Sequence, residues 1–402
     1  MFARCYADNF RCLSSFDLPV EPLSVLLGPN GSGKSTVLGL VAKIRDFILG
    51  NGTSLDLFPP ETLTRWDKRQ EQTFEWSIKL DQGLYVYRLR MSHKPEQALN
   101  KVLEERVTLE GRPLFTADTE HIQLYNDSHN LGPRLLPDWH LSGISRVHER
   151  EDNTKLTAFR RAVEGILVLA LNPSLVSAVS SEKQRVTIPK PDCSDFAGWL
   201  HHVQTAEPLA RQEAEQSLAK GGLPGFRAFQ AVPSGDASIL KCIFKSASGK
   251  TIPFRLDELS SGQIALVILE TALAVACERH GTLFLDEPGN FLGLSEIQPL
   301  LTRLQDAALE GRFQVILTAH HPIAVDFLAA GHGSWLEREP SGPARVQRIH
   351  VDEDVSGGKS GVRISDLIAR GWLSGLGVQQ TGESPNGNSS VVPDASGVAA
   401  PQ

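Results

Sequence analysis

The residues Gly28-Pro29-Asn30-Gly31-Ser32-Gly33-Lys34-Ser35-Thr36 constrain this chain more than any others. They fit G-x-x-x-x-G-K-[ST], a pattern that carries meaning only between a strand and a helix. The run from Leu23 to Leu27 ahead of it reads as a short buried strand, and Val37 to Ile44 behind it reads as a helix. Strand, glycine-rich turn and helix start together make a phosphate-binding loop. Glycines let backbone N–H groups close around a phosphate without Cβ clashes, and the helix start adds partial positive charge. Residues Asn30, Gly31, Ser32, Gly33 and Thr36 are the expected cradle. Lys34 is suited to bridge β- and γ-phosphates, and the Ser35 hydroxyl to ligate Mg²⁺.

With 402 residues there is room for more than one domain and for a core that needs no staples. The net charge of −7 exerts no global pull on nucleic acid or anionic membrane, which leaves only a local basic patch open. Cys5, Cys12, Cys193, Cys242 and Cys277 are scattered without a C-x-x-C pair, as expected of reduced thiols in the cytoplasm. The first residues lack a cationic start followed by an apolar run, and Ile264 to Cys277 is too short to span a bilayer. No membrane association is expected.

Taken in order, Met1 to Phe16 reads as an edge strand and turn, and 48–72 as a surface connection broken by Gly50, Gly52, Pro59 and Pro60. Alternation predicts a hairpin of Gln72–Leu80 and Leu84–Met91, with a third strand near Arg106–Leu109. The polar stretch 116–150 shows little pattern. Helical patterns cover Lys155 to Leu171 and Phe196 to Lys220, and Ser238–Phe244 with Lys250–Leu256 reads as another hairpin. His201 and His202 have no partner at metal spacing. From Gly375 the chain is Gly, Ser, Pro, Asn and Gln, the composition of a disordered tail.

The second half supplies carboxylates. Leu283-Phe284-Leu285-Asp286-Glu287-Pro288 is an apolar run ending in two acids, as a buried parallel strand would, and ligands bind at the carboxyl ends of such strands. Asp286 is the candidate Mg²⁺ ligand, directly or through water, and Glu287 the candidate to polarise an attacking water. Glu258-Leu259-Ser260-Ser261-Gly262-Gln263 opens an apolar helix, where Ser and Gly either cap it or bind an anion. Phe313 to Thr318 is a further core strand, and His320 follows it within reach of a γ-phosphate in such a crevice.

In this order the phosphate loop, Leu259–Gln263, Leu283–Pro288 and Thr318-Ala319-His320-His321-Pro322 resemble the motifs of ABC-type ATPases. The opening Asp8-Asn9-Phe10-Arg11-Cys12-Leu13 is similar to the start of the SMC/RecF-like branch, which includes the ATPase halves of OLD-family nucleases and ATP-binding proteins of bacterial defence islands. The resemblance covers roughly 3–45 and 250–340.

It implies an α/β P-loop fold: a mixed or parallel central sheet flanked by helices, an antiparallel β subdomain and an inserted, mainly helical lobe. The corresponding divisions are 1–115, 116–235, 236–374 and the tail 375–402. It implies roles for Lys34 and Ser35 (Walker A), Asp286 and Glu287 (Walker B and base) and His320 (switch), with His321 the lesser alternative. Ser260, Ser261, Gly262 and Gln263 would be the signature that closes on a partner subunit's ATP, and Arg11 an arginine near the nucleotide. Ser261 replaces the usual signature glycine, and Gly293 stands where transporter-type relatives carry an aspartate. Gln72 is the nearest candidate for a Q-loop glutamine.

The function expected is Mg²⁺-dependent ATP hydrolysis in a homodimer closed around two ATP molecules. The long separation of Lys34 from Asp286 argues against a transporter subunit, and the lack of heptads between 45 and 250 against a chromosome-organising SMC protein. Two roles stay open: regulation of a protein partner, an effector such as a nuclease in anti-phage defence, or a DNA-repair clamp gripping duplex DNA. No acidic metal cluster with convincing spacing follows residue 340 to make the chain a nuclease by itself.

Overall fold

The structure is a computed structural model and describes residues 1–97, 99–181, 185–349 and 363–371. The expected tail at 375–402 lies outside the described residues. The chain opens with β1 (Phe2–Asp8), β2 (Phe16–Pro19), β3 (Leu23–Leu27), α1 (Lys34–Leu49) and the short α2 (Ser54–Leu57). An antiparallel run follows: β4 (Glu71–Leu80), β5 (Gly83–Lys94), β6 (Leu99–Leu109), β7 (Arg112–Ala117), β8 (Ile122–Tyr125) and β9 (Leu131–Leu135). After α3 (Thr154–Glu164) come β10 (Ile166–Leu169), β11 (Val179–Ser181), α4 (Phe196–Ala206), α5 (Pro208–Ser217) and the strands β12 (Phe226–Ser234), β13 (Ala237–Lys245) and β14 (Thr251–Arg255). The last part holds α6 (Ser261–Arg279), β15 (Thr282–Leu285), α7 (Leu294–Leu309), β16 (Gln314–Thr318), α8 (Pro322–His332), β17 (Gly333–Glu337), β18 (Arg345–Arg348) and α9 (Ile364–Ala369).

Three sheets result. The central one runs β10-β15-β16-β3-β17-β18, parallel except for β18. The second is antiparallel, in the order β2-β1-β4-β5-β6-β7-β8-β9, and the third joins β11, β13, β12 and β14. The central strands are buried at every position and mostly apolar because both faces are covered, and successive side chains point to opposite faces. Val25, Leu283, Leu285, Val315 and Leu317 enter one core with α6, α7 and α8. Leu26, Phe284 and Ile316 enter the other, with α1 and the inner face of the antiparallel sheet. So α1 is sandwiched between two sheets, and the phosphate loop ahead of it is anchored to both.

Four details differ from the pattern expected of the sequence. β1 is not an edge strand, since it pairs with both β2 and β4. The pattern at 155–171 splits into α3, ended by Gly165, and β10, which pairs in parallel with β15. A four-residue apolar run fits a helix or a buried strand equally well, and only the long-range partner decides. The pattern at 196–220 breaks at Glu207, where Pro208 starts a new helix because its ring cannot continue the old one. The stretch 116–235 does carry α3, α4 and α5. It also lends strands to all three sheets, β8 and β9, β10, and β11 and β12, so it is woven into the head instead of standing apart.

By length and composition α6 passes for a membrane span, but every residue from Ile264 to Cys277 is buried in the core. A helix buried all round has no need of a polar face.

Candidate nucleotide site

Backbone geometry explains the glycines of the loop. Gly28 sits at φ 146°, and a Cβ there would lie 2.0 Å from the carbonyl oxygen of Leu336 on β17. Gly33 sits at φ 113°, with Cys12 Sγ 3.0 Å from where its Cβ would be. The segment Asp8–Leu13 therefore packs directly beneath the loop. Lys34 is the first residue of α1 and is buried; its Nζ donates to the carbonyls of Gly28 (2.8 Å) and Pro29 (3.1 Å). Burial pushes its ammonium below the ordinary lysine range, and the nearby carboxylates of Glu287 and Asp286 offset part of that. Ser32 Oγ is buried without a hydrogen-bond partner, while Ser35, Asn30 and Gly31 are exposed and Thr36 half-buried. An orphaned hydroxyl in a ring of left-handed glycines, with a lysine folded onto the loop's own carbonyls, fits a cradle for an anionic ligand.

The acids come from the neighbouring strands. β16 lies between β15 and β3, so the loop after β3 and the acids after β15 flank its carboxyl end. The Asp286 N–H donates to Leu169 O of β10 (2.8 Å). Thr318 Oγ1 donates to Asp286 Oδ1 (2.7 Å) and accepts the Glu287 N–H (2.9 Å). Glu287 has φ 48°, in the left-handed region; Asn290 Nδ2 donates to its Oε2 (2.7 Å), and His320 Nε2 lies 3.4 Å from its Oε1. Burial, and next the Lys34 charge, hold the His320 imidazole below its ordinary range, with Glu287 and Asp286 opposing. His321 instead caps α8, its Nδ1 accepting the Ile323 N–H at 3.3 Å.

Lys34, Asp286, Glu287 and His320 thus meet although they are spread over most of the chain. Thr318 joins them, a residue whose polar end is invisible in a core-strand pattern. Its one sequence signal is a hydroxyl directly after the apolar run Val315–Leu317.

The other candidates lie around this centre. Arg11 is exposed at φ 51°; its N–H donates to Thr62 O (2.7 Å) and its guanidinium lies over the Phe10 ring, near enough to Lys43 of α1 to lower that amine's pKa after burial has done so. Buried Asn9 holds the segment in place: Nδ2 donates to the carbonyls of Arg69 (2.7 Å) and Glu71 (2.9 Å), and Oδ1 accepts the Thr64 N–H (3.1 Å). Gln72 is a structural residue. It is buried, with Nε2 on Asn9 O (2.9 Å) and Oε1 on His93 Nε2 (2.9 Å), so its amide is used within the fold.

Ser260 caps α6 in a reciprocal box with Gln263 and is exposed with Ser261. A Cβ on Gly262 would lie 2.8 Å from Phe291 O, which presses the loop after Glu287 against the start of α6. Gly293 caps α7, its N–H donating to Glu296 Oε2 (2.8 Å). Among the described residues no three His, Cys, Asp or Glu side chains cluster as a metal site, and the five cysteines are buried and free. An Mg²⁺ ion here would rely on Ser35, Asp286 and the ligand's own oxygens.

Known proteins match this picture. The family model described as "AAA domain, putative AbiEii toxin, Type IV TA system" covers residues 23–326. The OLD nuclease of Thermus scotoductus is 25% identical over 338 residues, covering 81% of this chain and 60% of that relative. The chain therefore spans less than two thirds of the relative's length. Among solved structures, an SMC head bound to the C-winged helix domain of ScpA superposes with a TM-score of 0.52 at 12% identity, covering 88% of this chain and 98% of that one. At such identity the likeness is one of fold, and the fold is that of a P-loop ATPase head. The chain belongs to the matched AAA-domain family, is related in sequence to the OLD nuclease and shares the fold of an SMC head.

Proposed function

We propose that this protein hydrolyses ATP with Mg²⁺ in the cytoplasm, as a homodimer closed around two ATP molecules, and uses hydrolysis to control a bound protein. The effector class we favour is a nuclease acting in anti-phage defence, by analogy with the related OLD nuclease. The observation that carries the reading is the meeting of Lys34, Asp286, Glu287 and His320 at the ends of adjacent parallel strands. Ser35 and Asp286 would hold Mg²⁺, which supplies charge neutralisation at the phosphate oxygens. Lys34 would exchange the carbonyls of Gly28 and Pro29 for phosphate oxygens. Glu287 has one oxygen tethered by Asn290 and the other beside the His320 imidazole, which suits it to orient a water and accept its proton. Ser260 sits exposed at a helix start, suited to reach a partner's ATP.

The test mixes two dead proteins. Lys34→Ala and Ser260→Arg homodimers should each be inactive. In a mixed dimer one site combines both defects and the other combines intact halves. Random mixing should restore up to about a quarter of wild-type ATPase if sites act independently. Continued inactivity on mixing argues against a shared site, and full activity of the Ser260→Arg homodimer removes Ser260 from it.

A second reading, a clamp on duplex DNA, draws support from the open face of the antiparallel sheet. Arg88 and Arg106 lie directly opposite each other on β5 and β6, and the register continues through Thr116 and Gln123 to Arg134. Like charges so placed repel. The Nε atoms of Arg88 and Arg106 lie 3.9 and 3.6 Å from the Glu104 carboxylate and have no hydrogen bond. These Nε atoms are buried beside Glu104, so a DNA backbone would pair with the exposed ends of the two guanidiniums. Arg88→Gln with Arg106→Gln should then flatten the slope of log K on log salt by about 2; an unchanged slope disposes of this reading.

A further inference from the structure

We propose that Thr318 is the positioning residue of the site, and that its single hydroxyl sets both the Mg²⁺ requirement and the turnover rate. The proposal rests on the ATPase reading and deepens it.

Thr318 is the last residue of β16 and is fully buried. Its hydroxyl has one proton, which goes to Asp286 Oδ1 at 2.7 Å, while its oxygen accepts the Glu287 N–H at 2.9 Å. Those two bonds are of opposite sense, so only a hydroxyl in this orientation makes both. Asp286 is held on its other side by β10, through its own N–H and Leu169 O. The acid is thus fixed between the two strands that flank β15.

The consequence for Glu287 is stronger. Its φ of 48° is unusual for a residue with a side chain, so this conformation has to be held by its surroundings. The Glu287 N–H belongs to no ladder or helix; Thr318 Oγ1 is its partner. The same turn places Glu287 Oε2 on Asn290 Nδ2 at 2.7 Å. Each acid therefore keeps one tethered oxygen, Asp286 Oδ1 and Glu287 Oε2. Asp286 Oδ2 is left for a cation, and Glu287 Oε1 for a water beside His320. His320 itself follows Thr318 by two residues, so one strand end sets three groups of the site.

The experiment compares Thr318→Val, which keeps the shape and loses the hydroxyl, with Thr318→Ser, which keeps the hydroxyl. Binding of a fluorescent ATP analogue is titrated with Mg²⁺ in parallel with steady-state ATPase. In Thr318→Val the half-saturating Mg²⁺ should rise at least about fivefold, while metal-free nucleotide binding changes less than about twofold. Its kcat should fall about 10- to 100-fold with KM within about threefold, and Thr318→Ser should stay within about threefold of wild type throughout. If Thr318→Val is poorly folded, Thr318→Ala removes the same hydroxyl and is measured in its place.

An unchanged Mg²⁺ half-saturation and kcat in the hydroxyl-free variant overturns the proposal. So does a serine variant as impaired as valine, or a loss that is equal with and without Mg²⁺ and tracks melting temperature. A wild-type protein that neither binds nor turns over ATP removes the ATPase reading and this proposal together. Active wild type beside a normal Thr318→Val removes this proposal alone.

Discussion

Lys34→Met separates what the lysine does for the folded protein from what it does for a ligand. In the free protein the change removes two hydrogen bonds from a charged donor, to Gly28 O at 2.8 Å and Pro29 O at 3.1 Å. Hydrogen bonds of that kind contribute about 1.5–3 kcal/mol each. Against this, the buried ammonium carries a desolvation penalty of several kcal/mol, which methionine does not. Methionine also fills the volume of the stem with a flexible apolar chain. The two effects oppose each other, and the free protein should unfold within about 1 kcal/mol of wild type.

For bound nucleotide nothing offsets the loss, because the phosphate charge stays and its counter-charge goes. A deficit of about 3 kcal/mol corresponds to about 100-fold weaker binding. Thermal denaturation with and without Mg·ATP reads both quantities. At about 100 times Kd, ATP stabilises a binding-competent protein by about 2.7 kcal/mol. The same concentration should stabilise Lys34→Met by only about 0.4 kcal/mol, a shift near the noise of the measurement. A variant that keeps the ATP-induced shift refutes the phosphate-bridging role. A variant that already melts several degrees lower without ligand makes Lys34 a structural residue first.

Asn9→Ala should destabilise by about 3–4 kcal/mol, since three hydrogen bonds are lost at about 1 kcal/mol each and Asn9 sits at φ 61°, a left-handed backbone that alanine tolerates less well than asparagine. Because Asn9 holds the segment beneath Gly33, ATP binding should weaken with it; a denaturant midpoint within error of wild type contradicts this. His93 is buried against Gln72, and burial lowers its pKa from 6.5 to about 4. Its neutral form is the folded form, so its contribution to stability is full above about pH 6.5, declines as pH falls, and is gone below about pH 4. Midpoints followed through that window should fall more steeply for wild type than for His93→Gln, and parallel curves refute it.

The sequence alone was enough for the phosphate loop, because strand, glycines, lysine and helix start are local and contiguous. Gly28, Gly31 and Gly33 there all take positive φ, which residues with a side chain rarely adopt. The hairpin of β4 and β5 was legible for the same reason, a strict alternation closed by a short turn. Asp286 and Glu287 were legible because a buried strand that ends in two acids is costly without a use. His320 could be separated from His321 only by motif, until the structure showed His321 capping α8.

What the sequence could not decide depended on partners far away in the chain. Ile166–Leu169 became β10 because β15 offered it a parallel edge, which no periodicity in four apolar residues reveals. Gln72 looked available and proved to be spent on Asn9 and His93, 63 and 21 positions away. Thr318 read as the end of a core strand. Its hydroxyl acquires meaning only when β15 and β16 lie side by side and bring Asp286 and the Glu287 N–H to it. Local rules specify which groups can do chemistry. Which of them meet is decided by strand order, since hydrogen bonds act over about 3 Å and the chain brings distant residues that close only by folding.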